Sequence, residues 1–175
     1  MSFQKILLLL IFIGSQCFGQ TSMQLPSGKS LNATSQWQFV CESYSYEGFL
    51  TVQIAKTEKG GIIKLSIKTS SEKLMIGDRI FVLLKNGGLV YCTDKGNRTY
   101  IDGVSSNFYA VTEAEFKLFT IHSITDIRFK IIGTQKSFDS QIGFFTASNI
   151  PTIFDVYSKE VTAIDTKTEI KKLIK

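Results

Sequence analysis

Residues 79–93, RIFVLLKNGGLVYCT, predict a β-hairpin and decide the fold class of this chain. Residues 79–84 and 89–93 are two short runs of branched and aromatic residues, which is typical of strands. Residues 86–88, Asn-Gly-Gly, separate them, and Asn-Gly favours a tight primed turn whose twist matches the strands that it joins. Because residues 79–84 are apolar on both faces, the sequence predicts a central strand that is covered on both sides.

Period-two alternation on either side of this hairpin predicts further antiparallel strands. Ile127, Phe129 and Ile131 share one face of a strand, for example, and the polar residues between them share the other. The residues at 94–97 predict a second turn, followed by a short strand over 99–101. The fold class that follows is mainly β, an antiparallel sheet or sandwich. The other predicted strands lie near 37–41, 50–54, 63–67 and 108–111.

Two helices accompany the predicted sheet. Thr112 and Glu115 are spaced as a capping box, so we predict a short helix over residues 113–119. Ile170, Leu173 and Ile174 recur at helical spacing among lysines near the end of the chain, which predicts a second, amphipathic helix that needs a surface to lie on.

A resemblance to a group of proteins comes from three of these features in series. The Gly-rich hairpin turn, the T-x-x-E helix start and the segment ITDIRF, residues 124–129, together resemble small secreted β-rich proteins from Bacteroidota that have no assigned activity. The resemblance spans about residues 79–130. It concerns fold elements and implies no active site.

The first nineteen residues predict a secretory signal peptide. Lys5 supplies a positive charge, residues 6–13 are an unbroken apolar run, and small and polar residues follow up to Gly19. A membrane-spanning helix needs about 20 apolar residues, so no stable transmembrane anchor is expected. We therefore expect a secreted or periplasmic protein. A lipid-anchored envelope protein, modified on Cys17, is the less favoured alternative.

Cleavage after residue 19 leaves 156 residues, enough for one domain with its own core. We expect residues 20–36 to be a flexible lead-in, since they are rich in Ser, Thr, Gln and Asn, and residues 37–175 to be a single β-rich globular domain. The net charge of the whole chain is +5, and of the cleaved chain +4. This charge is too small to indicate nucleic-acid binding.

Two cysteines, Cys41 and Cys92, remain after cleavage. In an oxidising compartment an even pair suggests one disulfide. Two separate buried thiols are the alternative, because free cysteine is among the most buried residue types. Their spacing does not match a metal site, and no cofactor is expected.

No set of side chains in the sequence indicates catalysis. His122 is the only histidine, and Ser123 beside it would point to the opposite face of a strand. The acidic residues are scattered through predicted turns and strand ends, where we expect them to be solvated. No catalytic residue and no metal ligand is therefore assigned.

Aromatic residues supply the candidates for ligand binding. Tyr44, Tyr46 and Phe49 lie close together around Gly48, where exposed rings could stack on a sugar or hold a partner. The alternative is that the tyrosines cover the edge of a sheet. We expect a non-enzymatic secreted or periplasmic protein that binds an envelope or extracellular protein or a glycan.

Two other functions stay open. A small secreted hydrolase would use carboxylates or His122, and these groups should then converge in a cleft. A carrier of an apolar ligand should contain a large apolar cavity. A binding protein should instead have an exposed apolar patch or an open strand edge.

Overall fold

The computed structural model describes residues 21–44, 46, 48–134, 141–150 and 164–174. The predicted signal peptide, with Cys17, lies outside these residues. The described part of the chain is mainly β, as predicted, and its strands pair antiparallel throughout. In chain order the strands are β1 (Ser22–Gln24), β2 (Ser30–Asn32), β3 (Trp37–Val40), β4 (Phe49–Thr57), β5 (Gly60–Lys68), β6 (Leu74–Leu84), β7 (Leu89–Ile101), β8 (Val104–Thr112), β9 (Ile124–Gly133) and β10 (Gly143–Ser148).

Eight of these strands close into a barrel. Their order around the ring is β10-β3-β4-β5-β8-β7-β6-β9, with β10 returning to β3 through the pair Ser148↔Val40. An eight-stranded barrel is just wide enough for side chains to fill its interior. Large apolar side chains occupy that interior here. Those that are completely buried include Phe39, Leu50, Val52, Ile54, Ile63, Leu65, Ile76, Ile80, Val82, Ile127, Phe129 and Ile131.

The hairpin formed by β1 and β2 lies on the outside of the barrel, against β4, β5 and β8. Met23 from the hairpin and Phe108 from β8 are both buried in a second, smaller apolar cluster with Ala33 and Ala55. The side-chain amide of Gln53 donates to the carbonyl of Thr34 at 3.0 Å and helps to hold the hairpin in place. Residues 21–36, which belong to the segment expected to be a flexible lead-in, thus contain a hairpin that packs on the barrel. The few apolar residues of this segment are enough because they fall on one face.

Strands β6 and β7 stay paired over only part of their length. The ladder between them spans four residue pairs. Beyond it, side chains replace backbone partners: the N–H of Ile76 donates to the hydroxyl of Ser105 at 3.3 Å, and its carbonyl accepts from Asn107 at 3.0 Å and from Arg98 at 3.2 Å. Arg98 also pairs with Asp94. Buried backbone groups need partners, and these polar side chains close the barrel where the ladder stops.

The turn chemistry differs from the prediction at two places. The predicted turn at 94–97 is an irregularity inside a continuous β7, where the register with β8 shifts between Asp94 and Arg98. The β6–β7 connection is the predicted hairpin, but Asn86 is not left-handed and only Gly87 has positive φ. The primed-turn geometry occurs at Asp102-Gly103, between β7 and β8, where both residues have positive φ.

Both predicted helices are present. Helix α1 (Glu113–Ile121) begins with the predicted capping box, in which Thr112 and Glu115 each satisfy the other's backbone N–H. Helix α2 (Thr166–Lys171) is capped by Asp165 and continues as a 3-10 turn over Lys172–Ile174. Apolar side chains from both helices, Phe119 and Ile170 among them, join the core of the barrel.

Candidate functional site

Strands β10, β9, β6 and β7 carry an outer face that no described element of the chain covers. We call it the aromatic face and define it by the outward-facing residues Phe144, Arg128, Lys130, Phe81, Leu83, Leu89 and Tyr91. Tyr91 is 53% exposed and Phe144 is 54% exposed, whereas Phe108 on the covered side of the barrel is 2% exposed. Single exposed apolar residues are ordinary, whereas these residues are neighbours on adjacent strands.

Strand register brings the residues of this face into one row. Arg128 of β9 lies opposite Phe81 of β6, and Phe81 lies opposite Tyr91 of β7. The rings of Phe81 and Tyr91 make an edge-to-face contact with centroids 5.3 Å apart. On the other side of the row, the guanidinium of Arg128 and the ammonium of Lys130 lie 5.3 and 5.2 Å from the centre of the Phe144 ring. The rings and cations therefore form one continuous surface.

Two carboxylates lie beside the cations of the aromatic face. Asp126 accepts a hydrogen bond from Ser148 at 2.6 Å, and Asp78 lies 3.9 Å from Lys130. Arg128 has neither a hydrogen bond nor an ion pair with any residue that the structure describes, and its cationic contact is with a ring. A guanidinium has five N–H donors in a planar fork that matches a carboxylate or phosphate. Arg128 is thus held in place with its donors available.

This face contradicts the prediction that residues 79–84 form a strand covered on both sides. The inward residues Ile80 and Val82 are buried in the core, but Phe81 is only partly buried and Leu83 is exposed. An apolar run on both faces of a strand can arise from cover on both sides or from a binding surface on one. The fold puts the covering hairpin on the opposite side of the barrel, so among the described elements none covers the outer side of β6.

The three ligand-binding candidates from the sequence separate in the structure. Tyr44 is buried, and its hydroxyl donates to the carbonyl of Lys68 at 2.7 Å while its ring packs edge-on against Phe145. Tyr44 is therefore part of the core. Tyr46 and Phe49 are exposed. Phe49 borders a small depression of about 250 Å³, whose other lining residues are Gln38, Thr51, Ser66, Ile67, Lys68 and Val104.

A groove of about 1000 Å³ lies at the end of the barrel where α1 meets β9. His122 lines it with Ser123 and Asp165. The hydroxyl of Ser123 donates to Asp165 at 3.2 Å, and within the described chain the imidazole of His122 makes no hydrogen bond. A serine nucleophile needs a base that accepts its proton, and here the hydroxyl is directed to a capping carboxylate instead. The groove contains polar groups but no nucleophile–base pair among the residues described.

The carboxylate of Asp165 serves the start of α2. It accepts from the hydroxyl of Thr168 at 2.6 Å and from the backbone N–H of the same residue at 3.3 Å. These hydrogen bonds, the side-chain bond from Thr168 first, lower the pKa of Asp165 below its usual value. This is the environment of a structural cap, which favours the charged carboxylate, and not that of a general acid.

Cys41 and Cys92 are free buried thiols, and the predicted disulfide is not formed. Cys92 is on β7 and Cys41 follows β3, and these two strands are four places apart in either direction around the ring. Eight strands about 4.8 Å apart enclose a ring at least ~12 Å across, whereas a disulfide needs Cα atoms roughly 4.4–6.8 Å apart. Burial raises the pKa of Cys41 to about 11 and that of Cys92 to about 12, so both thiols stay protonated.

Three more findings bear on function. Among the described residues, His, Cys, Asp and Glu side chains form no group of three or more that could hold a metal ion. Helices of the described chain are all too short or too polar to cross a membrane. No protein-family model, curated protein or solved structure matches this chain.

Proposed function

We propose that this chain is a secreted or periplasmic binding protein without enzymatic activity, and that the aromatic face is its binding surface. The observation that carries the proposal is the uncovered row of Arg128, Phe81 and Tyr91 on an otherwise well-packed barrel. Exposing this apolar surface has a cost in solubility. A partner that covers it accounts for the presence of apolar residues on both faces of β6.

The order of residues in the leader supports a location outside the cytoplasm. A charged start, eight apolar residues and a small-residue end are what the secretion machinery recognises. Two buried free thiols are compatible with an oxidising compartment, because a protonated, inaccessible thiol does not react.

The two alternative functions have less support from the geometry. A hydrolase using His122 would need a partner for the imidazole, and Ser123 is bonded to Asp165. A carrier would need an apolar cavity, and the axis of the barrel is filled by large side chains such as Phe39, Phe129 and Tyr109.

Binding by the aromatic face is tested with a double variant, Phe81→Ser/Tyr91→Ser. The purified protein is immobilised and incubated with solubilised envelope and extracellular material from its host, and retained polypeptide and carbohydrate are quantified. We expect the double variant to retain at least ~10-fold less material than the wild type, because hot-spot aromatic residues carry most of the energy of such contacts.

The matched control is Leu118→Ser/Ile121→Ser, which removes two exposed apolar side chains from α1. This control should retain as much as the wild type. If it loses retention and the aromatic-face variant keeps it, the binding surface is the groove at the end of the barrel, which Ile121 lines, and the proposal is wrong.

A further inference from the structure

The proposed function leaves the chemistry of the ligand open, and the aromatic face itself narrows it. We propose that this face binds an acidic polysaccharide, a chain of sugar rings that carry carboxylates. This inference rests on the proposed function. It is argued from the charge, the size and the shape of the face.

Arg128 is the group of the aromatic face that can bind a carboxylate. Its guanidinium lies 5.3 Å from the centre of the Phe144 ring and has no carboxylate partner among the described residues, whereas nearby Asp78 is paired with Lys130 and nearby Asp126 accepts from Ser148. The Arg128 side chain is exposed, so its guanidinium is accessible to a ligand. A guanidinium gains two parallel hydrogen bonds from a carboxylate.

The size of the face argues against a folded protein as the ligand. The face is four strands wide, with neighbouring strands about 4.8 Å apart, and three outward-facing residues long, with these residues about 6.7 Å apart along each strand. Its projected area is therefore on the order of 200–300 Å². A stable protein–protein interface buries about 800 Å² on each partner. Even if the accessible surface is twice the projection, the aromatic face falls short of this area, but it can accommodate a few sugar rings.

The position of the open strand edge argues against an extended peptide. β10 pairs with β3 through Ser148↔Val40 only, so its edge on the β3 side is the place where a peptide could add a strand. That edge faces away from β9, β6 and β7, so a peptide bound there would not cover the row of Arg128, Phe81 and Tyr91. A sugar chain needs no backbone partner. Its C–H faces pack on exposed rings such as Phe81 and Tyr91, and its carboxylates reach Arg128 and Lys130, which lie in the next strand of the same face.

The test uses a tetramer of galacturonic acid as the probe and isothermal titration calorimetry as the measurement. The methyl-esterified tetramer is the matched ligand, since it keeps the rings and removes the charges. We expect the wild type to bind the acid at least ~10-fold more tightly than the ester. Arg128→Gln should weaken binding of the acid at least ~10-fold, and Arg128→Lys should weaken it less, because the charge remains and the fork is lost.

The matched protein control is Lys56→Gln. Lys56 lies 5.2 Å from the ring centre of Phe116, the same distance as Lys130 from Phe144, but it is on another side of the barrel. This variant should bind the tetramer as the wild type does. Circular dichroism of each variant shows whether the barrel is folded, and Arg128→Lys keeps the test valid if Arg128→Gln does not fold.

Three outcomes overturn the inference. Equal binding of acid and ester removes the role of charge, and unchanged binding by Arg128→Gln removes the role of that residue. Stronger binding to poly-glutamate or to vesicles of phosphatidylglycerol than to the tetramer identifies an acidic polypeptide or a membrane as the ligand. If the tetramer does not bind but Phe81→Ser/Tyr91→Ser still abolishes retention of host material, the glycan inference fails and the proposed function stands.

Discussion

Two outer faces of the barrel each carry a lysine beside a phenylalanine ring, but the ring is buried on one face and exposed on the other. On the covered face, Lys64 lies 5.7 Å from the ring of Phe108, and the hairpin of β1 and β2 buries that ring. On the aromatic face, Lys130 lies 5.2 Å from the ring of Phe144, and more than half of that ring is exposed. A lysine next to a phenylalanine ring thus occurs on both sides of the barrel. The ring is buried in an apolar cluster on one side and exposed on the other.

This difference shows which outer strands of the barrel are covered by apolar residues from elsewhere in the chain. The hairpin provides only a few apolar side chains, and β4, β5 and β8 use them to complete a second cluster. Strands β6, β7, β9 and β10 have no such cover among the described residues, yet they keep aromatic side chains outside. Under the proposed function, these side chains are exposed because they contact a ligand.

The largest expected effect is a difference in stability between variants of Phe108 and Phe144. Phe108→Ala should lower the free energy of unfolding by about 3–5 kcal/mol, because the truncation leaves a cavity under the hairpin. Phe144→Ala should lower it by less than about 1 kcal/mol, since an exposed ring loses little burial. Equilibrium unfolding in urea measures both values. Equal losses would break the comparison, because Phe144 would then be packed in solution as firmly as Phe108.

A smaller effect is expected where the barrel is closed by side chains. Asn107→Ala should cost about 1–3 kcal/mol, because the amide donates to the carbonyl of Ile76 at 3.0 Å and to Asp94 at 3.1 Å in a buried site. The matched control is Asn86→Ala, which removes an exposed amide that accepts from Gly88 at 3.0 Å and should cost less than about 0.5 kcal/mol.

The same urea experiment measures this second pair of variants. A loss for Asn107→Ala as small as that for Asn86→Ala would mean that the wall below the aromatic face does not depend on side-chain bonds. In that case the backbone hydrogen bonds of the short β6–β7 ladder would be enough to hold Phe81 and Tyr91 in position.

The smallest expected effect is the pH dependence of stability that comes from Asp165, at the end of the barrel. Asp165 has a lowered pKa in the folded protein, so its carboxylate adds stability above its unfolded pKa, and this stability disappears as the pH falls through the lower folded pKa. Asp165→Asn should therefore be slightly less stable than the wild type at pH 6, since solvent screens the charge of this exposed carboxylate, and the difference should shrink as the pH falls toward 2.

Thermal unfolding from pH 6 to pH 2 measures this difference. Asp165→Asn should also bind the galacturonate tetramer as the wild type does, since Asp165 lies at the groove and not on the aromatic face. A variant that lost binding without losing stability would show that the groove and the aromatic face act together.

Local patterns in the sequence were enough to predict most of the elements. The alternation of residues 63–67 and 127–131 gave β5 and β9, and the spacing of Thr112 and Glu115 gave the start of α1. These features depend on contacts within a few residues, and their physical rules are local. The mainly β, antiparallel class followed from them, and the structure confirms it.

The turns were harder to predict because two of them depend on the register in which consecutive strands pair. Residues 94–97 have the composition of a turn, but pairing of β7 with β8 on both sides of them keeps the strand continuous. Asn86-Gly87 has the strongest turn signal, but the ladder of β6 and β7 sets a longer connection. The primed turn was missed at Asp102-Gly103, where the signal was present.

The candidate site was present in the sequence but was misread. Residues 79–84 are apolar on both faces, and this pattern is the same for a doubly buried strand and for a strand with a binding surface. Tyr44, Tyr46 and Phe49 were chosen for their proximity in sequence, yet Tyr44 is in the core. Phe144 and Tyr91 are 53 positions apart and lie on the same face only because β10, β9, β6 and β7 are neighbours in the ring.

The sequence by itself determined most of the barrel strands, the two helices and which face of most of these strands is apolar, since these depend on side-chain periodicity and short-range hydrogen bonds. It did not predict β1, β2 or β10. Only the tertiary structure decided how the strands order into a closed ring, that Cys41 and Cys92 lie too far apart to bridge, and which outer face the hairpin covers. The physical reason is that these properties depend on pairing between strands distant in the chain. A single hairpin, packed on β4, β5 and β8, leaves the aromatic residues on the other side exposed.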